Sequence, residues 1–168
     1  DATAAVVGAT SKAYSNDLTI TAPGTLQLTS GAGTTDGSIV TFGDVTGTAT
    51  VDRYVNADEW HYLSIPVTAA QAGVFDEMYL RTYNTAGSAW EAWIVPVTDP
   101  LSVMAGYAVW SSTTNPAVGS VTRSYTGTLN TGDQMFALTN AGDAFNFTGN
   151  PYPSALDWEE ADGWDKTA

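Results

Sequence analysis

With one histidine and no cysteine in 168 residues, this chain cannot assemble the nitrogen and sulfur ligand sets of an ordinary zinc site. A nucleophile–histidine–acid arrangement would have to be built on His61, in the run Trp60-His61-Tyr62-Leu63-Ser64. Strand alternation puts His61 on the face opposite Trp60 and Tyr62, so the expectation is a structural ring bonded to nearby groups. Carboxylates are more plentiful: Asp58, Glu59, Asp76, Glu77, Glu91 and a C-terminal group of Asp157, Glu159, Glu160, Asp162 and Asp165. Two carboxylates facing each other across a sugar can hydrolyse a glycosidic bond. Most of these lie beside turn residues, and no pair has a spacing that singles it out. The expectation is a non-catalytic protein.

Oxygen ligands for a hard cation are a separate matter, and Asp157, Glu159 and Asp162 are the candidate calcium ligands. Counted as an EF-hand loop from Asp157, position 5 is Ala161 and position 6 is Asp162. That loop needs an oxygen ligand and then a glycine at those places, so a calcium site here is of another kind. No other cofactor is expected.

Trp90, Trp93 and Trp110 are the candidate ligand-binding residues, because exposed indoles on a β-sandwich can stack against sugar rings. Tryptophan and tyrosine also fill sandwich cores, and most of the six Trp are expected there. On a regular strand Trp90 and Trp93 fall on opposite faces, so at most one reaches a core unless a bulge intervenes.

The elements that must position these residues read as strands. Charged residues make up 14% of the chain and apolar residues 43%, against roughly 25% charged in an average soluble domain. The polar surface is built from Thr, Ser, Asn and Gly, which suit strands and turns. Alternation at 17–20 and 25–29, divided by Pro23-Gly24, suggests two short paired strands, and 38–42 and 46–55 follow. Aromatic bulk begins near Tyr54. Further strands are expected at 60–65, 78–83, 90–95, 106–110, 120–125, 134–138 and 145–148, and helical turns only at 68–75 and 154–163. The fold class is all-β: a β-sandwich or jelly-roll-like domain over residues 51–168, preceded by repeat-like, solenoid-type strands over residues 1–50.

The net charge is −13. A field of that sign repels phosphate backbones and anionic lipid, so nucleic acid is excluded, and no apolar run is long enough for a spanning helix. The start at Asp1, without a methionine or an apolar signal region, suggests a mature or excised segment.

Several segments together resemble a module found in large secreted proteins of Bacteroidota that use the type IX secretion system. They are Thr50-Val51-Asp52-Arg53-Tyr54, Trp60-His61-Tyr62-Leu63-Ser64-Ile65-Pro66-Val67, residues 100–110, and Tyr125-Thr126-Gly127-Thr128-Leu129-Asn130-Thr131-Gly132. Gly149-Asn150-Pro151-Tyr152-Pro153-Ser154-Ala155-Leu156-Asp157-Trp158 is the most distinctive. The resemblance covers most of the chain in matching order and supplies no catalytic residues. It implies an extracellular or cell-surface protein with an adhesive or structural role. Three function classes follow as expectations: a structural or adhesive module that forms homo-oligomers or filaments by strand addition, a carbohydrate-binding module, and a glycosidase. The first is preferred, with a glycan or a cell-surface matrix as the further partner.

Overall fold

A computed structural model describes residues 4–7, 12–33, 36–94 and 97–156. The protein is all-β and sandwich-like. Its strands are β1 (Ala4–Val7), β2 (Lys12–Ser15), β3 (Leu18–Thr19), β4 (Thr25–Leu28), β5 (Ser38–Thr41), β6 (Val45–Thr46) and β7 (Ala49–Val55). There follow β8 (Trp60–Leu63), β9 (Tyr79–Arg81), β10 (Tyr83–Asn84), β11 (Ala89–Trp90), β12 (Tyr107–Trp110) and β13 (Val121–Gly127). A short 3-10 helix at Ala72–Phe75 falls within the stretch where a helical turn is expected.

The early strands do not pair with their neighbours in sequence. Pro23-Gly24 makes a turn, but β3 and β4 on its two sides belong to different ladders. Ala4 lies beside Thr25, Lys12 beside Ser38, and Leu18 beside Val45, all in parallel. Each strand therefore bonds to the strand one turn of chain further on. A turn signal fixes where the chain bends and leaves the partner open, which is why the expected pairing is wrong. The bends are tight: at Gly47, with φ +91°, a β-carbon would sit 2.1 Å from the Ile20 carbonyl oxygen, so glycine is required there.

β7 joins this parallel stack to the rest. It runs parallel to β4 and antiparallel to β13, giving a four-stranded sheet of order β1-β4-β7-β13. The strand crosses the expected boundary at residue 50 and includes Tyr54, near which aromatic bulk begins. Behind it lies a three-stranded antiparallel sheet of order β8-β12-β9. Val51, Val55, Ile65, Val67, Leu80, Val109, Tyr125 and Leu129 form one core with Leu26, Leu28 and Ile39 from the parallel part.

Two buried polar side chains, Asp52 and Asn130, tie strands and loops together. The Asp52 carboxyl accepts from Gln27 Nε2 at 2.9 Å and from Ser124 Oγ at 2.7 Å, so β4, β7 and β13 share one acceptor. Asn130 donates from Nδ2 to the Ile65 oxygen at 2.7 Å and to the Pro151 oxygen at 2.9 Å. Pro151 and Pro153 are buried, and Tyr152 donates from its hydroxyl to the Gly132 oxygen at 2.7 Å. The Asn-Pro-Tyr-Pro segment is the fixed corner its prolines suggest, while the expected docking of Trp158 lies outside the described residues.

Other expected strands do not form. Residues 134–138 are irregular, residues 145–148 contribute only the Ala105–Thr148 bridge, and the strand expected at 90–95 stops at Trp90. β1 and β2, not expected, are strands. Asp52→Ala removes the buried acceptor shared by half-buried Gln27 and exposed Ser124, and because water reaches both donors it is expected to lower unfolding free energy by about 1–2 kcal/mol. Urea denaturation checks this, and a loss under about 0.5 kcal/mol would contradict the stitching role.

Candidate aromatic binding site

The outer face of the β8-β12-β9 sheet is aromatic where an exposed sheet face is normally polar. Register sets Trp60 opposite Trp110 and Tyr62 opposite Ala108 on β8 and β12, and Trp110 opposite Tyr79 and Ala108 opposite Arg81 on β12 and β9. Alternation puts these residues on one face, with Leu80 and Val109 on the other in the core. Ala108 is 1% exposed despite facing outward. Its small side chain is the floor on which the larger ones rest.

A bulge completes the surface. After β11 the chain returns along β9, with the Glu91 amide bonded to the Thr82 oxygen at 2.9 Å and the Ile94 amide to the Leu80 oxygen at 2.8 Å. Three steps on one side thus match two on the other, so one residue is extra and the alternation shifts. Trp90 and Trp93 therefore come to the same side. Both lie beside the Arg81 guanidinium, whose central carbon is 4.8 Å from the Trp90 ring centroid, 4.7 Å from Trp93 and 5.1 Å from Trp60. These separations fit cation–π attraction.

The rings form two wings about Arg81. On one, Trp60 and Trp93 are near-parallel, 6.2 Å apart and 8° between planes, with Trp110 edge-on to Trp60 at 5.4 Å and Tyr79 beside Trp93 at 5.2 Å. On the other, Trp90 meets Tyr83 at 5.5 Å and Phe147 at 5.4 Å, both edge-to-face. Trp60 is 40% exposed, Trp90 36% and Trp93 43%, so none of these rings belongs to the core. Trp110 is half-buried. The expectation that most Trp fill the core is thus corrected for the four that are described. The interior is filled by aliphatic side chains with Phe75, Tyr107 and Tyr125, and the indoles pack on each other instead.

Polar bonds hold the wings in place. The Tyr79 hydroxyl donates to the Asn115 oxygen at 2.5 Å. Asp58 accepts from the Thr113 amide at 3.0 Å and from the Thr113 hydroxyl, which fixes the same loop and lowers the pKa of the Asp58 carboxyl. Across the site the Tyr83 hydroxyl donates to Asp143, and Asp143 accepts from the Phe145 amide at 3.1 Å. The Tyr83–Asp143 bond raises the tyrosine pKa and lowers the carboxyl's. Since the carboxyl value is depressed on folding, this stabilisation is present above the ordinary carboxylate pKa and is lost as pH falls through the lowered one. At Gly106 a β-carbon would come within 2.8 Å of the Phe147 ring, so glycine lets that ring close over the strand.

Other sequence candidates lie apart from this cluster or outside the described residues. His61 Nε2 is 3.1 Å from the Asn56 oxygen and 3.6 Å from Glu59 Oε1, the local bonding expected of a structural ring. Asp76 accepts from the Glu77 amide at 3.1 Å. Among the described residues no group of three or more His, Cys, Asp or Glu could hold a metal ion. The calcium candidates Asp157, Glu159 and Asp162 lie outside the described residues. Of the three Trp singled out, Trp90 and Trp93 both flank Arg81, and Trp110 joins them through Trp60. Trp60 and Arg81 themselves were not foreseen. A β8–β12 pairing would have pointed to Trp60, and Tyr79 with Arg81 two apart on a strand was the available signal for the arginine.

No family model, curated protein or solved structure matches the chain.

The site's capacity therefore rests on its geometry: flat apolar faces, partly exposed and held from beneath, around one cation. Such faces can stack against the axial C–H groups of a sugar ring. Because Trp93 is largely supported by other surface rings, Trp93→Ala is expected to cost no more than about 2 kcal/mol of stability. Tyr125→Ala, which empties a fully buried site, is expected to cost about 3–5 kcal/mol. Paired denaturation curves check the contrast, and equal losses would place Trp93 in the structural core.

Proposed function

We propose that this protein is a non-catalytic adhesive module of a bacterial cell surface, which holds a glycan on the aromatic ridge of Trp60, Trp90 and Trp93. The observation that carries the reading is the exposure of those three indoles around Arg81, at 36–43%. Free aromatic area on a rigid sheet is costly to leave in water and is what ring stacking uses. The resemblance to secreted modules of Bacteroidota supports an extracellular setting. On a glycan array the wild-type chain is expected to bind a restricted set of polysaccharide fragments. The double variant Trp60→Ala, Trp93→Ala should lose about 5- to 150-fold in affinity, as two stacking contacts at about 0.5–1.5 kcal/mol each would give. A silent array, or binding unchanged by the double substitution, would overturn the reading.

A second reading, self-assembly by strand addition, has its own observation. Among the described residues β1 is the outer strand of its sheet, with no strand beyond it. An open edge is a template for pairing. Val7 directs its carbonyl to β4, where the Thr29 amide bonds to it at 2.9 Å, so the backbone N–H of Val6 points to the open side. Val6→Pro removes that donor and leaves the β4 ladder intact. Light scattering at high concentration should find oligomers in the wild type and monomers in the variant. A monomeric wild type would dismiss self-assembly.

A further inference from the structure

The chain carries 18 acidic residues against 5 Lys and Arg, so a surface arginine would be expected to find a carboxylate. Arg53 does, lying 3.7 Å from Asp36 Oδ2 and donating to the Asp52 carbonyl oxygen at 2.9 Å. Arg123 donates to the Asp76 carbonyl oxygen at 2.7 Å. Arg81 differs. The ion pairs among the described residues are Arg53–Asp36 and His61–Glu59, and Arg81 Nε, like Arg123 Nε, is buried without a hydrogen-bond partner. Among the described residues neither Arg81 Nη makes a hydrogen bond and neither is a buried unpaired atom, so both keep contact with solvent.

The geometry points to an anionic ligand for this guanidinium. Three indole faces within 4.7–5.1 Å exclude water from its flanks and orient its plane. Its outer edge remains as a fork of N–H donors with no acceptor among the described residues. That fork matches a carboxylate with two parallel hydrogen bonds. The flanking rings add a preference that a small inorganic anion cannot use, because they reward a ligand with a ring next to its charge. Resting on the glycan reading above, we infer that the ridge takes an acidic sugar, a hexuronate. Its carboxylate meets the Arg81 Nη groups and its ring lies against Trp60 or Trp93.

The protein's net charge of −13 opposes a polyanion at a distance. At physiological ionic strength that opposition is screened beyond about 8 Å. Contact at Arg81 takes place within that range, and a short chain or a terminal acidic residue meets least of the field.

The test compares each acid with its neutral methyl ester, which keeps the ring and its hydroxyl groups. Oligomers of galacturonate, glucuronate and mannuronate, each beside its ester, are titrated calorimetrically into the wild-type chain and into Arg81→Gln and Arg81→Lys. At least one acid is expected to bind about tenfold or more tightly than its ester, the difference a charge-assisted hydrogen-bond pair supplies. Arg81→Gln should bring that ratio near one, and Arg81→Lys, which keeps charge without the fork, should leave it reduced. If no acid binds more tightly than its ester, the inference is overturned, and neutral glycans still bound on the array would leave the broader reading standing. If neither acids nor neutral glycans bind, both fall. An acid preference unchanged in Arg81→Gln would also overturn the assignment. Because the acid and ester are first compared on the wild type, poor folding of a variant cannot leave the question open.

Discussion

Strand β7 has to satisfy two kinds of neighbour at once, and the rest of the molecule follows from that constraint. On one side it meets β4 in parallel and on the other β13 in antiparallel register. The Asp52 carboxyl at its centre accepts a bond from each neighbour. A buried acceptor shared in this way favours one lateral order of the three strands, because a slip of one residue on either side would carry a donor out of its reach. Through β7 the stacked parallel turns and the antiparallel half share one sheet, with Leu26, Leu28, Val51 and Tyr125 in a common core.

From that sheet the site is reached in a few steps. The core consumes the inward residues of β8, β9 and β12, and alternation leaves Trp60, Trp110, Tyr79 and Arg81 on the outward face. An extra residue between the Glu91 and Ile94 amides then turns Trp93 to join Trp90 on that face. The cation at the middle gives the rings an electrostatic reason to gather, since each offers its negative face to the guanidinium. The result is a surface held rigid by packing from beneath, with its own apolar area still open.

Much of this was legible in the sequence, and the gaps have physical causes. The all-β class follows from short alternating runs set between turn signals, and β5, β8, β12 and β13 fall close to where alternation puts them. The proline corner at Pro151 and Pro153 was visible in its ring constraints. Partner choice was not visible: residues 17–20 and 25–29 alternate as hairpin strands would, and a parallel partner one turn away leaves no local trace. The placement of Trp90 and Trp93 turned on a bulge, which depends on how two segments match in length and not on either segment's own pattern. Arg81 escaped attention for a related reason. A lone arginine between Leu80 and Thr82 looks like solubilising charge until the fold brings three indoles to it.

The most direct test of the central claim follows the indole N–H signals of the 15N-labelled chain by NMR while hydrolysates of plant, algal and bacterial polysaccharides are added in turn. Saturable movement of the Trp60, Trp90 and Trp93 signals with at least one of them is the outcome this account predicts. Signals from those three residues that stay fixed throughout, or saturable shifts confined to Trp158 and Trp164, would contradict it.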